Sequence, residues 1–143
     1  PETIDKTIKL LLNQGADFAA NTVPPDKRSF PEGSDVEVFT IQALERAHLE
    51  CIDKHDREHV TFHFWKYDNG FNTVILNNEK DISNYRYTID YPEDFVVLSF
   101  LINEMCREGI DGTIKDIVSL MNSNPEIRNK NSKYHFGIGW ESE

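Results

Sequence analysis

No run of apolar residues approaches the roughly 20 needed to span a bilayer, and the amino terminus carries nothing like a signal peptide. Cysteine is scarce. Cys51 and Cys106 lack CxxC spacing, each falls in a helical pattern beside apolar neighbours, and free buried thiols in a reducing cytoplasm are the reading they support. Basic residues are outnumbered, 15 Lys+Arg against 25 Asp+Glu, for a net charge of −10. The tightest basic pair, Lys27-Arg28, lies in a Pro-rich loop, so no patch is available to hold nucleic acid or an anionic membrane. Internal repeats and low-complexity segments are absent as well, which excludes solenoids and fibrous folds.

What remains is an ordinary globular composition, 38% hydrophobic and 11% aromatic, in 143 residues: enough for one α/β domain. Ile4, Ile8, Leu11 and Leu12 fall at helical spacing, and Gly15 stands where a helix ends. This helix begins at Pro1 with no residue before it to cap it, so the chain is expected to be cut from something longer. Residues 16–21 form a short strand, and Pro24, Pro25, Pro31 and Gly33 mark an exposed loop. Residues 35–40 alternate, with Val36 and Val38 on one face and Asp35, Glu37 and Phe39 on the other. Helix is expected over 41–52 and again from Asp56 toward Trp65; strand over 71–76 and 85–90, a pair that could run antiparallel. After Pro92 a long helix carries apolar residues on most faces and is expected to be largely buried. A further helix follows Thr113, another turn starts at Pro125, and residues 129–143 read as a loosely held polar tail. The pattern is α/β with a mixed sheet.

The stretch Thr88-Ile89-Asp90-Tyr91-Pro92-Glu93-Asp94-Phe95 is the richest in chemistry. Ligands of open α/β sheets collect at strand ends, where Asp90 stands, and magnesium takes one or two protein carboxylates. From residue types alone the better reading is structural: Asp90 caps the next helix, and Glu93 and Asp94 sit against its dipole. Asp35 and Glu37 could accept hydrogen bonds from substrate hydroxyls or form a solvated edge. Glu58 and His59 could bind or deprotonate a hydroxyl, but adjacent helical positions diverge. His59 and His63 at i, i+4 invite a zinc reading, which the lack of a third ligand at useful spacing argues against. Trp65 and Trp140 read as packing residues, and Tyr85 and Tyr87 as flanking a sheet or subunit contact.

Phe30-Pro31-Glu32-Gly33-Ser34-Asp35-Val36-Glu37-Val38-Phe39, then Asp56-Arg57-Glu58-His59-Val60-Thr61, then residues 87–95, in that order, resemble the cytidylyltransferase family of spore-coat polysaccharide biosynthesis proteins, relatives of the CMP-Kdo and CMP-sialic acid synthetases. Pro1-Glu2 resembles the end of the family's Asp-Cys-Pro-Leu-Ile-Asp-Pro-Glu segment, and Gly15-Ala16-Asp17-Phe18 with Asn21-Thr22 its next strand. Residues 30–39, Phe-Pro-Glu-Gly-Ser-Asp-Val-Glu-Val-Phe, resemble its Pro-x-Gly-x-Asp-Val-Glu-Val-Phe motif. Asp56-Arg57-Glu58-His59-Val60-Thr61 and residues 87–95 resemble two more.

The resemblance implies a three-layer nucleotide-diphospho-sugar transferase-like domain, of which residues 1–128 are the C-terminal portion. It implies transfer of a cytidylyl group from CTP to a sugar, often a 2-keto sugar acid, with release of pyrophosphate. Mg²⁺ would be held by Asp90 and by an aspartate preceding Pro1, with Asp35, Glu37, Glu58 and His59 toward the sugar. It further implies a cytoplasmic homodimer, with contacts sought over 71–87. The family's CTP loop has no counterpart in these residues, so the isolated chain is expected to be inactive. A non-catalytic scaffold or dimerisation domain on the same fold is the alternative.

Overall fold

The computed structural model describes residues 1–141. It is a mixed α/β structure of two compact units, one of residues 1–30 and 35–81, the other of residues 31–34 and 82–141.

The first unit is built on a three-stranded sheet. Strand β1 (Phe18–Ala20) lies between β2 (Glu37–Phe39), antiparallel, and β3 (Thr73–Ile75), parallel. Period-2 alternation divides its side chains. Ala19 aligns with Val38 and Val74, and these pack with Leu11 and Ala16 against helix α1 (Glu2–Gln14). On the opposite face the rings of Phe18 and Phe39 stack on Phe64 at 5.1 and 5.6 Å. Phe64 belongs to α4 (Phe62–Trp65), so helix, sheet and helix form three layers. The alternation at 35–39 predicted these faces. Phe39, on the carboxylate-bearing side, is covered by Phe64 rather than exposed to water.

Helix α2 (Ile41–Glu50) starts at Thr40, whose hydroxyl accepts from the Ala43 N–H. The helical segment expected from Asp56 to Trp65 is two short helices. In α3 (Lys54–Glu58), Asp53 Oδ1 accepts from the N–H groups of His55 and Asp56; the chain then turns at His59 and restarts as α4. The loop after β1 is less exposed than its prolines suggested: Asn21, Thr22, Val23, Phe30 and Pro31 are buried. Asn21 Oδ1 accepts from the Val36 N–H, which supplies the buried amide with a partner.

The second unit packs α5 (Pro92–Glu108), α6 (Ile114–Ser123) and α7 (Pro125–Arg128) around Tyr85, Tyr87, Val97, Leu101, Leu120 and Met121. Thr113 and Asp116 cap α6 reciprocally. Residues 85–90 are not a strand and do not pair with β3. Their backbone meets a segment far upstream: the Glu32 N–H donates to Tyr85 O, the Tyr87 N–H donates to Glu32 O, and one parallel bridge links Glu32 with Arg86. Gly33 makes this approach possible. Its φ is 98°, and a Cβ there would lie 2.7 Å from backbone atoms of Tyr87 and Thr88.

Four further expectations are corrected. Tyr85 and Tyr87 are core residues, 8% exposed, and Tyr85 Oη donates to Asn122 Oδ1 at 2.6 Å; burial removes them from any subunit contact. Helix α5 is not largely buried, since Phe95, Val96 and Ile102 are exposed and only Asp94, Val97 and Leu101 are fully inside. Cys51 is a buried free thiol at the end of α2, but Cys106 is exposed on α5. The tail is anchored, because Asn131 is buried and Tyr134 stacks on Tyr91 at 3.9 Å. Ser142 and Glu143 lie outside the described residues. Among those described, no helix is long and apolar enough to cross a membrane.

Candidate functional site

Asp90 stands in the turn that leads into α5, and it is not the cap of that helix. The N-cap is Tyr91, with Pro92 following as the first helical residue. The capping carboxylate is Asp94, which reaches back so that Oδ2 accepts from the N–H groups of Asp90 and Tyr91 at 3.1 and 3.0 Å. Asp90 is thereby released from the structural role that residue types favoured, and its side chain is 57% exposed.

Behind it lies a buried ion cluster. Arg86, 6% exposed, donates from Nε to Asp94 Oδ1 at 2.9 Å and from Nη2 to Asp94 Oδ2 at 2.8 Å, a bidentate pair. Nη2 also reaches Asp90 Oδ2 at 2.9 Å, and Nη1 pairs with Glu32. Asn131 completes the arrangement, its amide donating to Asp94 Oδ1 at 2.8 Å and to Arg86 O at 3.2 Å. Burial alone would push the Asp94 carboxyl up. The Arg86 guanidinium, the Asn131 amide and the two backbone N–H groups outweigh it and bring Asp94 down to about 2. Arg86 is likewise held firmly charged, its hydrogen bonds to Asp94 and Glu32 exceeding the opposing effect of burial. Glu93, next along, is lowered to about 2 by Lys133 and then Tyr134, whose hydroxyl donates to its Oε2.

In chemical terms this turn presents one accessible carboxylate on a rigid base. A hard oxygen donor of this kind fits a magnesium ion that draws its other ligands from phosphates and water. Arg86 occupies Oδ2, which leaves Oδ1 as the donor atom.

The remaining expected residues lie in the first unit. Glu37 shares its sheet face with Phe39 and is bonded by the Thr61 side chain, which brings the end of the Arg-Glu-His-Val-Thr segment to the Asp-Val-Glu-Val-Phe strand. Solvent reaches the Glu37 carboxylate, yet the surrounding protein pushes its pKa up, the Thr61 bond opposes this, and the Asp35 charge adds to it. Asp35 is exposed. Glu58 and His59 separate as expected for neighbours: Glu58 faces solvent, whereas the His59 ring stacks on Phe62 at 4.4 Å with His55 edge-on at 4.7 Å.

Arg86, Asn131 and Glu32 were missed by sequence reasoning. A cation four residues before Asp90 was the available signal for the first. Nothing local marks the other two, which arrive from distant segments.

These features belong to a cytidylyltransferase-like α/β fold. The chain is similar to the structure of a cytidylyltransferase from Leptospira borgpetersenii serovar Hardjo-bovis, with 30% identity and a TM-score of 0.79 over 94% of this chain and 55% of that one. It is also 31% identical, over 133 residues, to an uncharacterized protein of Methanocaldococcus jannaschii, covering 92% of this chain and 51% of the relative. The chain thus spans about half the length of the curated relative it matches. No family model matches the sequence.

Proposed function

We propose that this chain is the sugar-side portion of a cytidylyltransferase that joins a sugar, in our reading a 2-keto sugar acid, to the cytidylyl group of CTP and releases pyrophosphate. The observation that carries the proposal is the likeness to a cytidylyltransferase structure over nearly the whole chain.

Asp90 is the proposed magnesium ligand of this portion, through Oδ1. The ion, when bound, would neutralise phosphate charge. The chain's own contribution is placement. Asp94 fixes the Asp90 backbone, Arg86 fixes the carboxylate's rotation, and Asn131 with Glu32 fixes Arg86. An exposed aspartate so restrained loses little freedom on meeting a ligand.

Asp35 and Glu37 are proposed to accept hydrogen bonds from the sugar, as is solvent-facing Glu58, with His59 held more deeply by its ring contacts. The raised pKa of Glu37 suits a group that shares a proton with a hydroxyl rather than one that holds a metal.

The test is Asp90→Asn in the full-length protein. Magnesium-dependent pyrophosphate release is expected to fall by at least about a hundredfold, a loss of order 3 kcal/mol in transition-state stabilisation. The circular dichroism spectrum should be unchanged. Turnover near wild type in a folded variant would remove Asp90 from the site.

A further inference from the structure

Three side chains with metal-ligating chemistry meet in the first unit, none of them among the residues assigned above, although Asp56 shares α3 with Glu58. They are Cys51 at the end of α2, Asp56 in α3 and His63 in α4, and one ligand atom of each lies within 4.8 Å of those of the other two. All three line one cavity of about 190 Å³, whose wall also includes Leu44, Ala47, Val60 and the His48–Arg57 pair. The Arg57 guanidinium is turned to the His48 ring and to the carbonyls of His48 and Cys51.

Asp56 is the telling member. It is 4% exposed, and its Oδ1 is buried without a hydrogen bond. Lys66 Nζ and His55 Nδ1 stand 3.7 Å from that oxygen, near enough for charge but too far to donate. His63 Nε2 is also buried and unbonded, with Glu50 Oε2 at 3.7 Å. A buried carboxylate oxygen and an imidazole nitrogen left unbonded beside a free thiol are costly for a protein that uses them for packing alone. A shared cation would satisfy the carboxylate and the imidazole, and would exchange the thiol's long bond to Asp53 O, at 3.8 Å, for a metal–sulfur bond.

We propose that Cys51, Asp56 and His63 bind a borderline-soft divalent cation of the zinc type, with the fourth coordination position open to the cavity. One sulfur, one nitrogen and one oxygen donor select such an ion over magnesium or calcium, which take oxygen alone. Tetrahedral bonds of about 2.0–2.3 Å place donors roughly 3.3–3.8 Å apart, so the three groups need to close by at most about 1.5 Å. Each comes from a different short element, and the cavity gives them room. Three protein ligands with one position open is the pattern of a site that takes water or a small ligand as its fourth partner.

Proton balance follows. Burial, reinforced by the Asp56 charge, pushes the Cys51 thiol up, so the free protein carries S–H, and metal binding releases one proton to solvent. Asn69 Nδ2 lies 3.2 Å from His63 Nδ1 and donates to the His63 carbonyl at 2.9 Å, so Nε2 is the ring nitrogen left for a cation. The alternative trio of Asp53, His55 and Asp56 is less apt, because Asp53 is exposed and its Oδ1 already caps α3.

The experiment is a cobalt titration of the full-length protein in a Cys106→Ser background, which removes the exposed thiol. A thiolate-to-cobalt charge-transfer band with tetrahedral visible bands is expected, displaced by Zn²⁺ and unaffected by excess Mg²⁺. Cys51→Ser should abolish the charge-transfer band, and His63→Gln should weaken cobalt binding by more than about tenfold. Absence of the charge-transfer band in the parent protein overturns the proposal, and so does unchanged affinity in Cys51→Ser. The parent measurement needs no substitution in the ligand set, so misfolding of a variant cannot mask the answer. Because the readout is spectroscopic, it stands apart from pyrophosphate release.

Discussion

At the scale of single residues, Arg86 bears more than any other side chain of the second unit. It is 6% exposed and answers three acids, Glu32, Asp90 and Asp94. Removing it would leave Asp94 charged in a fully buried setting, so Arg86→Met is expected to destabilise the fold by about 3–5 kcal/mol in urea denaturation. Asn131→Ala strips one donor from the same carboxylate and should cost about 1–3 kcal/mol. Gly33→Ala faces both a positive φ and a backbone 2.7 Å away, and is expected to lose about 1–3 kcal/mol or more. Asp35→Asn and Glu37→Gln act differently. They should raise the KM for the sugar and leave that for CTP unchanged, and a selective loss of CTP affinity would contradict their placement. Residue types favoured Asp90 as the cap of α5, and only the structure reassigns that work to Asp94. Both carboxylates stand near the same helix start in the sequence. Which one turns back depends on Arg86 and Asn131 drawing Asp94 inward.

Among the elements, the start of α5 gives the clearest pH dependence. An aspartate in the unfolded chain titrates near 3.9, whereas Asp94 in the fold is held at about 2. The unfolded state therefore takes up the proton first as pH falls. The stabilisation from this group, about 2 kcal/mol, is complete above roughly pH 5 and is lost progressively toward pH 2. Glu93 is shifted in the same direction by Lys133 and Tyr134 and adds to the effect, though its exposure makes its share small. Urea midpoints measured at pH 5.5 and pH 2.5 should show the fall, and in Asp94→Asn the difference should shrink. The sheet was the more legible element. Alternation at 35–39 gave the faces of β2 correctly, because period-2 patterning is a local signal. Residues 85–90 alternate too, yet their backbone partner is a segment outside the sheet, and alternation carries no information about partners. Helix α5 misled for a related reason: its apolar residues exceed what the core of the second unit covers, and composition does not say which face is spare.

For the whole molecule, we propose that the homodimer implied by the resemblance forms through the spare face of α5 rather than through residues 71–87, where contacts were sought. Phe95, Val96 and Ile102 are exposed on it, with Ile89 exposed just before it. Exposed apolar patches mark association surfaces. Phe95→Glu is expected to convert the full-length protein from dimer to monomer in light scattering without loss of secondary structure, and a parent protein that is already monomeric would dispose of the idea. The cation site shows what a linear reading cannot reach. Cys51, Asp56 and His63 follow no ligand spacing, because they come from three successive short elements, and the pair that sequence spacing offered, His59 with His63, is split by the stacking of His59 on Phe62.

The bridge between Glu32 and Arg86 also bears on how the chain can be divided. The second unit owns residues 31–34 although its remaining sequence starts only at Ile82. Cutting before Ile82 would yield a piece that ends neatly in sequence yet has lost Glu32 from its buried cation and Gly33 from its tightest crossing. During synthesis those residues emerge early and must wait for Arg86. The two units are separable as clusters of contacts, but not as products of a protease or of a cloning boundary.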